Sequence, residues 1–170
     1  GEYTFDAIVA GPDDGAVVFL LHGFPQTNQS WDEVIPVLAE AGYRVVAPNL
    51  RGYSPGARPL EPALYTMDLH TADVIGMADA LGVDQFHVVG HDWGAATTWS
   101  LAMSHPDRVL SIVPVSGAHP QAVGAALAER AAGDDRPQGG GFNYVEVFAA
   151  DGAEEMFLAD DAAFLRQILS

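Results

Sequence analysis

The amino-acid sequence predicts an α/β fold, with a mostly parallel sheet and helices on both faces. Short apolar runs alternate with longer stretches of helical apolar spacing, which is typical of βαβ units. Most of the short runs are continuously apolar, as in strands buried on both faces. Gly42 and Gly82 follow two of the helical stretches, where helix C-caps are common. The 170 residues are 49% hydrophobic, enough for one domain with a core.

The individual elements follow in regular order along the chain. The predicted strands are residues 4–10, 16–21, 43–48, 86–90 and 108–115. The first of them alternates in polarity like an edge strand. The predicted helices are residues 30–41, 66–81 and 93–104. Thr66 and Asp68 form a plausible helix start.

The alternation ends near Gly117, where a different region begins. We therefore divide the chain into residues 1–116 and 117–170, with a flexible Gly- and Asp-rich loop at about 129–141. A parallel sheet that ends at residues 108–115 exposes unpaired backbone groups and apolar side chains. We expect a second polypeptide, or a second copy of the chain, to complete the sheet.

Composition excludes several classes of function. The net charge is −16 and the seven basic residues are scattered, which argues against nucleic acid and anionic membranes as partners. No apolar run approaches the roughly 18 residues of a membrane span, and no signal peptide begins the sequence, so we expect a cytoplasmic protein. With no cysteine, no HExxH pattern and no phosphate-binding glycine motif, we expect neither a metal nor a cofactor.

Residues 88–98, VVGHDWGAATT, place a carboxylate at a strand-to-helix turn. An aspartate there is ordinarily a helix N-cap. However, Gly90 and Gly94 flank Asp92 at two residues' distance, which an N-cap does not require. Glycine framing is typical of the nucleophile elbow, whose central residue has strained backbone angles that leave no room for neighbouring side chains. We therefore predict that Asp92 is a nucleophile.

A second motif, LLHGFPQT at residues 20–27, also follows a predicted buried strand. Such a loop can aim backbone N–H groups at the elbow and form an oxyanion hole. These motifs, with APNLRGYSPG at 47–56 between them, resemble the α/β-hydrolase family over about residues 3–116. The aspartate indicates the branch that contains epoxide hydrolases and haloalkane dehalogenases, in which the carboxylate displaces a leaving group from an alkyl carbon.

The resemblance implies a mechanism and a set of site residues. Asp92 would attack an epoxide carbon, and water would then cleave the resulting ester while the backbone N–H groups of Phe24 and Trp93 hold the oxyanion. The remaining motif residues would form the scaffold, with a cis peptide bond before Pro25. These residues are His22, Gly23, Pro25, Gly90, His91 and Gly94. The implied fold is an incomplete α/β-hydrolase core followed, at residues 117–170, by the start of a helical cap.

The leaving group decides between the two enzyme types. FNYVEVF at 142–148 resembles the tyrosine-bearing cap helix of epoxide hydrolases, which implies that Tyr144 donates a proton to the opening ring. In dehalogenases the residue after the nucleophile and a second donor hold the halide. Trp93 is present, but Phe24 offers only its backbone N–H. A small apolar epoxide is therefore the favoured substrate, and a haloalkane the alternative.

The resemblance also implies groups that the sequence lacks. A histidine base and its orienting acid would come from later segments, so the C-terminal part of the family pattern is missing. Among the resident histidines, His119 is the best-placed substitute because it follows the strand at 108–115. A non-catalytic binding or partner subunit that keeps the hydrolase core remains an alternative, as does a cofactor-free lyase or oxygenase on the same fold.

Overall fold

The computed structural model describes residues 3–131, 150 and 152–168. The strands are β1 (Ala7–Ala10), β2 (Val17–Leu21), β3 (Arg44–Pro48), β4 (Phe86–His91) and β5 (Val109–Val115). The helices are α1 (Val34–Glu40), α2 (Met67–Ala80), α3 (Trp93–Ser104), α4 (Pro120–Ala131) and α5 (Ala153–Ile168). Short 3-10 turns occupy Asn28–Trp31 and Pro62–Leu64. These elements confirm the predicted α/β class.

The sheet has the order β1-β3-β2-β4-β5, with β1 antiparallel to β3 and the other pairs parallel. From β2 the chain moves to one side to form β3 and then returns to the other side to form β4. Strand order therefore reverses at β2, which leaves a crevice beside its carboxyl end. The loops that follow β2 and β4 both start at this crevice.

Side chains of β2 alternate between two apolar layers, as strand geometry requires. Val17, Phe19 and Leu21 pack with Val74 of α2 and Leu101 of α3 in one cluster. On the opposite face, other β2 residues pack with residues of α1 and β3 in a second cluster. Its members are Val18, Leu20, Trp31, Ile35, Val45 and Ala47. The sheet is therefore covered by helices on both faces.

Most predicted boundaries hold, and the exceptions have physical reasons. Gly42 and Gly82 have φ angles of 90° and 68° at the helix ends, and Thr66 caps α2 by accepting the Leu69 N–H. The single helix predicted over 30–41 is instead a 3-10 turn followed by α1. Pro36 explains the break, because a proline fits only within the first turn of a helix.

The region after β5 contains more helix than the sequence indicated. Helix α4 extends to Ala131, and residues 132–141 of the predicted loop lie outside the described part. Helix α5 is interrupted at Ala159–Ala162, where the backbone angles are not helical. The chain divides into two compact units, residues 1–125 and 126–170.

Strand β5 forms one end of the sheet and pairs on one side with β4. Leu110 and Val113 are each 50% exposed, and Val115 is 40% exposed. Within residues 3–131, 150 and 152–168, no strand pairs with the outer side of β5, which is the edge that the sequence predicted to be unpaired. In the described residues, no helix combines the length and apolarity needed to cross a membrane.

Candidate active site

The two sequence motifs meet at the crevice beside β2. Leu21 of β2 is in register with Gly90 of β4, so the residues that follow each strand emerge side by side. The loop of residues 22–27 therefore faces the elbow of residues 90–94. Sequence separation between the two motifs is large, and parallel strand pairing brings them together.

Asp92 has the backbone conformation of an elbow, with φ 54° and ψ −115°. This conformation lies in the left-handed half of φ space, which a non-glycine residue adopts at a cost of about 1–3 kcal/mol. The flanking glycines are explained by close contacts. A Cβ on Gly90 would collide with the Gly94 carbonyl, and a Cβ on Gly94 would collide with the Leu21 carbonyl.

The alternative that Asp92 is an ordinary helix N-cap is wrong. An N-cap residue has extended backbone angles, and its side chain accepts N–H groups of the first turn. The Asp92 side chain makes no such capping bond. Instead, its backbone carbonyl accepts Ala95 N–H at 3.0 Å and Ala96 N–H at 3.1 Å. The carboxylate is therefore not needed to start α3.

The carboxylate points instead into the loop after β2. Phe24 N–H donates to Asp92 Oδ1 at 3.0 Å. The approach requires glycine at the preceding position, since a Cβ on Gly23 would lie 2.5 Å from Asp92 Cβ. The Phe24–Pro25 peptide bond is cis, as the family resemblance implies. Trp93 starts α3, so its N–H belongs to the helix terminus, where amides have no acceptor within the helix.

His22 is fully buried and connects this loop to the loop after β3. Its Nε2 accepts Leu50 N–H at 3.0 Å, and its Nδ1 lies 3.0 Å from the Gly23 carbonyl oxygen. Burial lowers the pKa of His22 below 6.5, although the Gly23 carbonyl opposes the shift. Burial therefore favours the neutral imidazole, whose two contacts join the loop after β2 to the loop after β3.

Tyr53 is a residue of this site that the sequence reasoning missed. Its ring packs edge-on against the His22 imidazole, with centroids 4.6 Å apart at 80°. Burial and the negative charge of Asp92 raise the pKa of Tyr53 to about 12. Its position in the loop after β3, the strand beside β2, could have indicated this, because carboxyl ends of neighbouring parallel strands share one edge.

His91 precedes Asp92 and contacts the loop after β2. Its Nδ1 lies 3.1 Å from Gln26 Oε1, and Gln26 N–H donates to the Gly23 carbonyl at 2.9 Å. His91 therefore joins the elbow to the loop rather than contacting the Asp92 carboxylate. This arrangement is consistent with the scaffold role implied by the resemblance.

The other predicted site residues lie elsewhere. His119 packs edge-on against Trp99 at 4.6 Å, and its Nδ1 accepts Gln121 N–H at 3.2 Å. The His119 side chain thus caps the start of α4. Tyr144 lies outside the described residues. In residues 3–131, 150 and 152–168, the structure has no cluster of three or more carboxylate or histidine side chains able to hold a metal ion.

A cavity of about 390 Å³ lies between β1, β3 and α2. Its lining includes the Tyr3 ring and Asp73, whose carboxylate forms a bidentate ion pair with Arg51 at 2.6 and 2.8 Å. No residue of the elbow or of the loop after β2 borders it. We therefore do not associate this cavity with the Asp92 chemistry.

Comparisons with known proteins agree with this geometry. The family described as alpha/beta hydrolase fold matches residues 16–151. Epoxide hydrolase B of Mycobacterium tuberculosis is 45% identical over 112 residues, which are 65% of this chain and 32% of that protein. The chain thus spans about a third of the length of that curated relative.

Solved structures extend the likeness to the fold. The crystal structure of epoxide hydrolase A from Mycobacterium thermoresistibile superposes with a TM-score of 0.63 at 37% identity, covering 72% of this chain and 41% of that one. An epoxide hydrolase from Vigna radiata superposes with a TM-score of 0.73 at 30% identity, covering 99% of this chain and 57% of that one.

Proposed function

Because the chain belongs to the alpha/beta hydrolase fold family, we propose that it carries the nucleophile of a hydrolase that opens epoxides. One observation supports this proposal most directly. Asp92 stands at the elbow with φ 54°, and its Oδ1 accepts Phe24 N–H at 3.0 Å. The similarity to epoxide hydrolases supports the choice of substrate class.

The first step is alkylation of Asp92. Asp92 Oδ1 accepts the Phe24 N–H, and this hydrogen bond stabilises its negative charge. The other oxygen, Oδ2, is therefore the stronger nucleophile. Oδ2 attacks one epoxide carbon and forms an ester bond. The bond between that carbon and the ring oxygen breaks, and the ring oxygen keeps the electron pair as an alkoxide. A carboxylate needs no base for this attack, because its oxygen has no proton to lose.

The second step is hydrolysis of the alkyl ester. Water attacks the carboxyl carbon of Asp92, loses a proton to a base, and places negative charge on Oδ1. Phe24 N–H already lies at this oxygen, and Trp93 N–H at the start of α3 is the second proposed donor. Collapse breaks the acyl–oxygen bond, and the leaving alkoxide takes a proton from the protonated base to give the diol. The new carboxyl group then returns its proton to the Tyr144 phenolate, which restores the carboxylate and the acid.

Two groups of the mechanism come from outside the elbow. We assign Tyr144 as the acid that protonates the alkoxide and residues 117–170 as the start of a helical cap, from the sequence resemblance. In the described part of the chain, no histidine is hydrogen-bonded to the Asp92 carboxylate. From the sequence resemblance, we assign the base that activates water to another segment or to a separate polypeptide.

The exposed edge of the sheet supports a partner for this chain. Strand β5 presents Leu110, Val113 and Val115 at 40–50% exposure, and its outer backbone groups face away from β4. An exposed apolar edge strand pairs readily with another strand. A second polypeptide, or a copy of this chain, would cover this edge.

Alkylation by styrene oxide tests the proposal. Incubation with excess styrene oxide and an acid quench, followed by intact-mass and peptide mass spectrometry, should reveal one adduct on Asp92. The matched control is D92N, which keeps the side-chain shape but removes the nucleophilic carboxylate. Equal labelling of both proteins, or no adduct at residue 92, would favour a non-catalytic binding subunit.

A further inference from the structure

The Gly23 carbonyl and the Phe24 N–H belong to the same peptide group. Because a peptide group is planar, a contact that fixes the carbonyl also fixes the N–H on its opposite side. Two groups meet the Gly23 oxygen, Gln26 N–H at 2.9 Å and His22 Nδ1 at 3.0 Å. The direction of the N–H toward Asp92 thus depends on bonds made on the far side of the peptide.

The tautomer of His22 follows from its partners. Leu50 N–H can only donate, so His22 Nε2, 3.0 Å away, must present a lone pair. A neutral imidazole with an unprotonated Nε2 carries its hydrogen on Nδ1. His22 Nδ1–H is then the donor to the Gly23 carbonyl.

The surroundings of His22 maintain this state. The residue has no exposed surface, and the Tyr53 ring covers it edge-on at 4.6 Å. A doubly protonated ring would lose the acceptor for Leu50 N–H and would place a charge in a buried position. Both effects favour the neutral Nδ1–H form.

We propose that His22 is a positioning residue for the oxyanion donor: its Nδ1–H bond to the Gly23 carbonyl orients and polarises the peptide whose N–H contacts Asp92 Oδ1. A donor on the carbonyl strengthens the N–H of the same amide, since linked hydrogen bonds polarise one another. The effect on catalysis rests on the proposed function. The effect on the Phe24 amide does not, so the two can be tested separately.

Two substitutions separate the bonds that His22 makes. H22N retains a donor near the Nδ1 position but loses the acceptor for Leu50 N–H. H22Q retains an acceptor near the Nε2 position but loses the donor to the Gly23 carbonyl. A purely space-filling role predicts similar effects for both changes, whereas a positioning role predicts that H22Q is the more damaging for the Phe24 amide.

The first measurement uses the unmodified chain. Nitrogen-15 NMR of the histidine rings at pH 7 should identify His22, assigned by its loss in H22N, as the Nδ1–H tautomer. In protein labelled with nitrogen-15 phenylalanine, the Phe24 amide proton should move upfield in H22Q and exchange with solvent at least about tenfold faster, while H22N retains most of its protection. Cross-peaks between the His22 ring and the Leu50 amide proton confirm the assignment in the unmodified chain, so an Nε2–H tautomer there would overturn the proposal even if neither variant folds.

The second measurement concerns the ester. After labelling with styrene oxide, decay of the Asp92 adduct at pH 9, where hydroxide replaces the missing base, should be about tenfold to a hundredfold slower in H22Q. Equal decay in H22Q, H22N and the unmodified chain would contradict the positioning role while leaving Asp92 as nucleophile. An unlabelled Asp92 with the expected NMR result would instead refute the proposed function and leave the hydrogen-bond assignment intact.

Discussion

Phe24 N–H donates to Asp92 Oδ1 at 3.0 Å across 68 residues of sequence. The pairing of β2 with β4 makes this contact possible, because Leu21 and Gly90 are in register immediately before the two loops. The sheet therefore brings a backbone donor to the carboxylate without any side chain in between. Gly23 allows the approach, since a Cβ there would meet Asp92.

Replacing Asp92 should remove the proposed chemistry without removing the fold. The Asp92 side chain makes no helix-capping bond, so the unfolding free energy of D92N should lie within about 1 kcal/mol of that of the unmodified chain. Adduct formation at residue 92 should fall by about a thousandfold or more. Circular dichroism during urea unfolding and the time course of labelling measure the two effects. Undiminished labelling in D92N would contradict the assignment.

Adding a methyl group to Gly23 should disturb the site directly. In G23A the new Cβ would lie 2.5 Å from Asp92 Cβ and 2.8 Å from its Oδ1, so the loop must move. We expect a loss of about 1–3 kcal/mol in unfolding free energy and at least tenfold slower adduct formation.

Gly76 provides the matched control for this change. It lies inside α2, and nothing lies within 4 Å of a Cβ added there. G76A should raise the unfolding free energy by up to about 1 kcal/mol, because alanine favours the helix, and should leave labelling unchanged. If both variants behave alike, the close approach of Gly23 to Asp92 does not matter.

Stability should fall as pH decreases below 6.5. Burial lowers the pKa of both His22 and His70 from that ordinary value, although nearby Asp73 opposes the shift at His70. Below pH 6.5 these histidines bind protons in the unfolded chain but not in the folded chain. The stabilisation from the two neutral histidines is therefore complete above pH 6.5, and it is lost as the pH falls from 6.5 toward their pKa values in the folded chain.

Urea unfolding between pH 5 and 8 measures this dependence. The slope of unfolding free energy against pH should be smaller in H22Q than in the unmodified chain, and the carboxylate contributions cancel in the difference. Parallel curves for the two proteins would mean that His22 titrates normally when folded.

The Tyr53 hydroxyl should lose its proton at a higher pH than that of an ordinary tyrosine. Its pKa is raised to about 12 from the ordinary 10.0 by burial and by the charge of Asp92. The raised value stabilises the fold below pH 10, and this contribution is lost as the pH rises from 10 toward 12. Y53F should lack this loss of stability between pH 10 and 12 while keeping the ring contact with His22.

Ultraviolet titration of tyrosinate, compared between Y53F and the unmodified chain, measures the pKa of Tyr53. A Tyr53 that ionises near pH 10 would contradict its burial.

The exposed edge of β5 should cause association. V113K places a charge on that edge strand and should reduce the concentration-dependent rise in mass measured by light scattering. V37K, on the 64% exposed Val37 of α1, is the control and should leave the association unchanged. A chain that is monomeric at all concentrations would contradict pairing with a second copy and leave a different polypeptide as the partner.

Much of the fold could be read from local patterns. Continuous apolar runs indicated the buried strands, and α3 has the predicted bounds Trp93–Ser104. The single helix predicted over residues 30–41 is instead a 3-10 turn followed by α1, because Pro36 must lie in the first turn of a helix. Helix α4 continues to Ala131, and the rest of the loop predicted at about residues 129–141 lies outside the described residues. Tyr53 was missed because it contacts His22, which lies in the loop after a different strand and is distant in sequence.

By itself, the sequence determined the alternation of strands and helices, the glycine-framed aspartate and the loop motif, because each depends on residues near one another in the chain. The tertiary structure decided which backbone N–H groups meet Asp92 Oδ1 and His22 Nε2, and why Tyr53 belongs to the site. These relationships depend on the order and register of parallel strands, which place distant loops at one crevice.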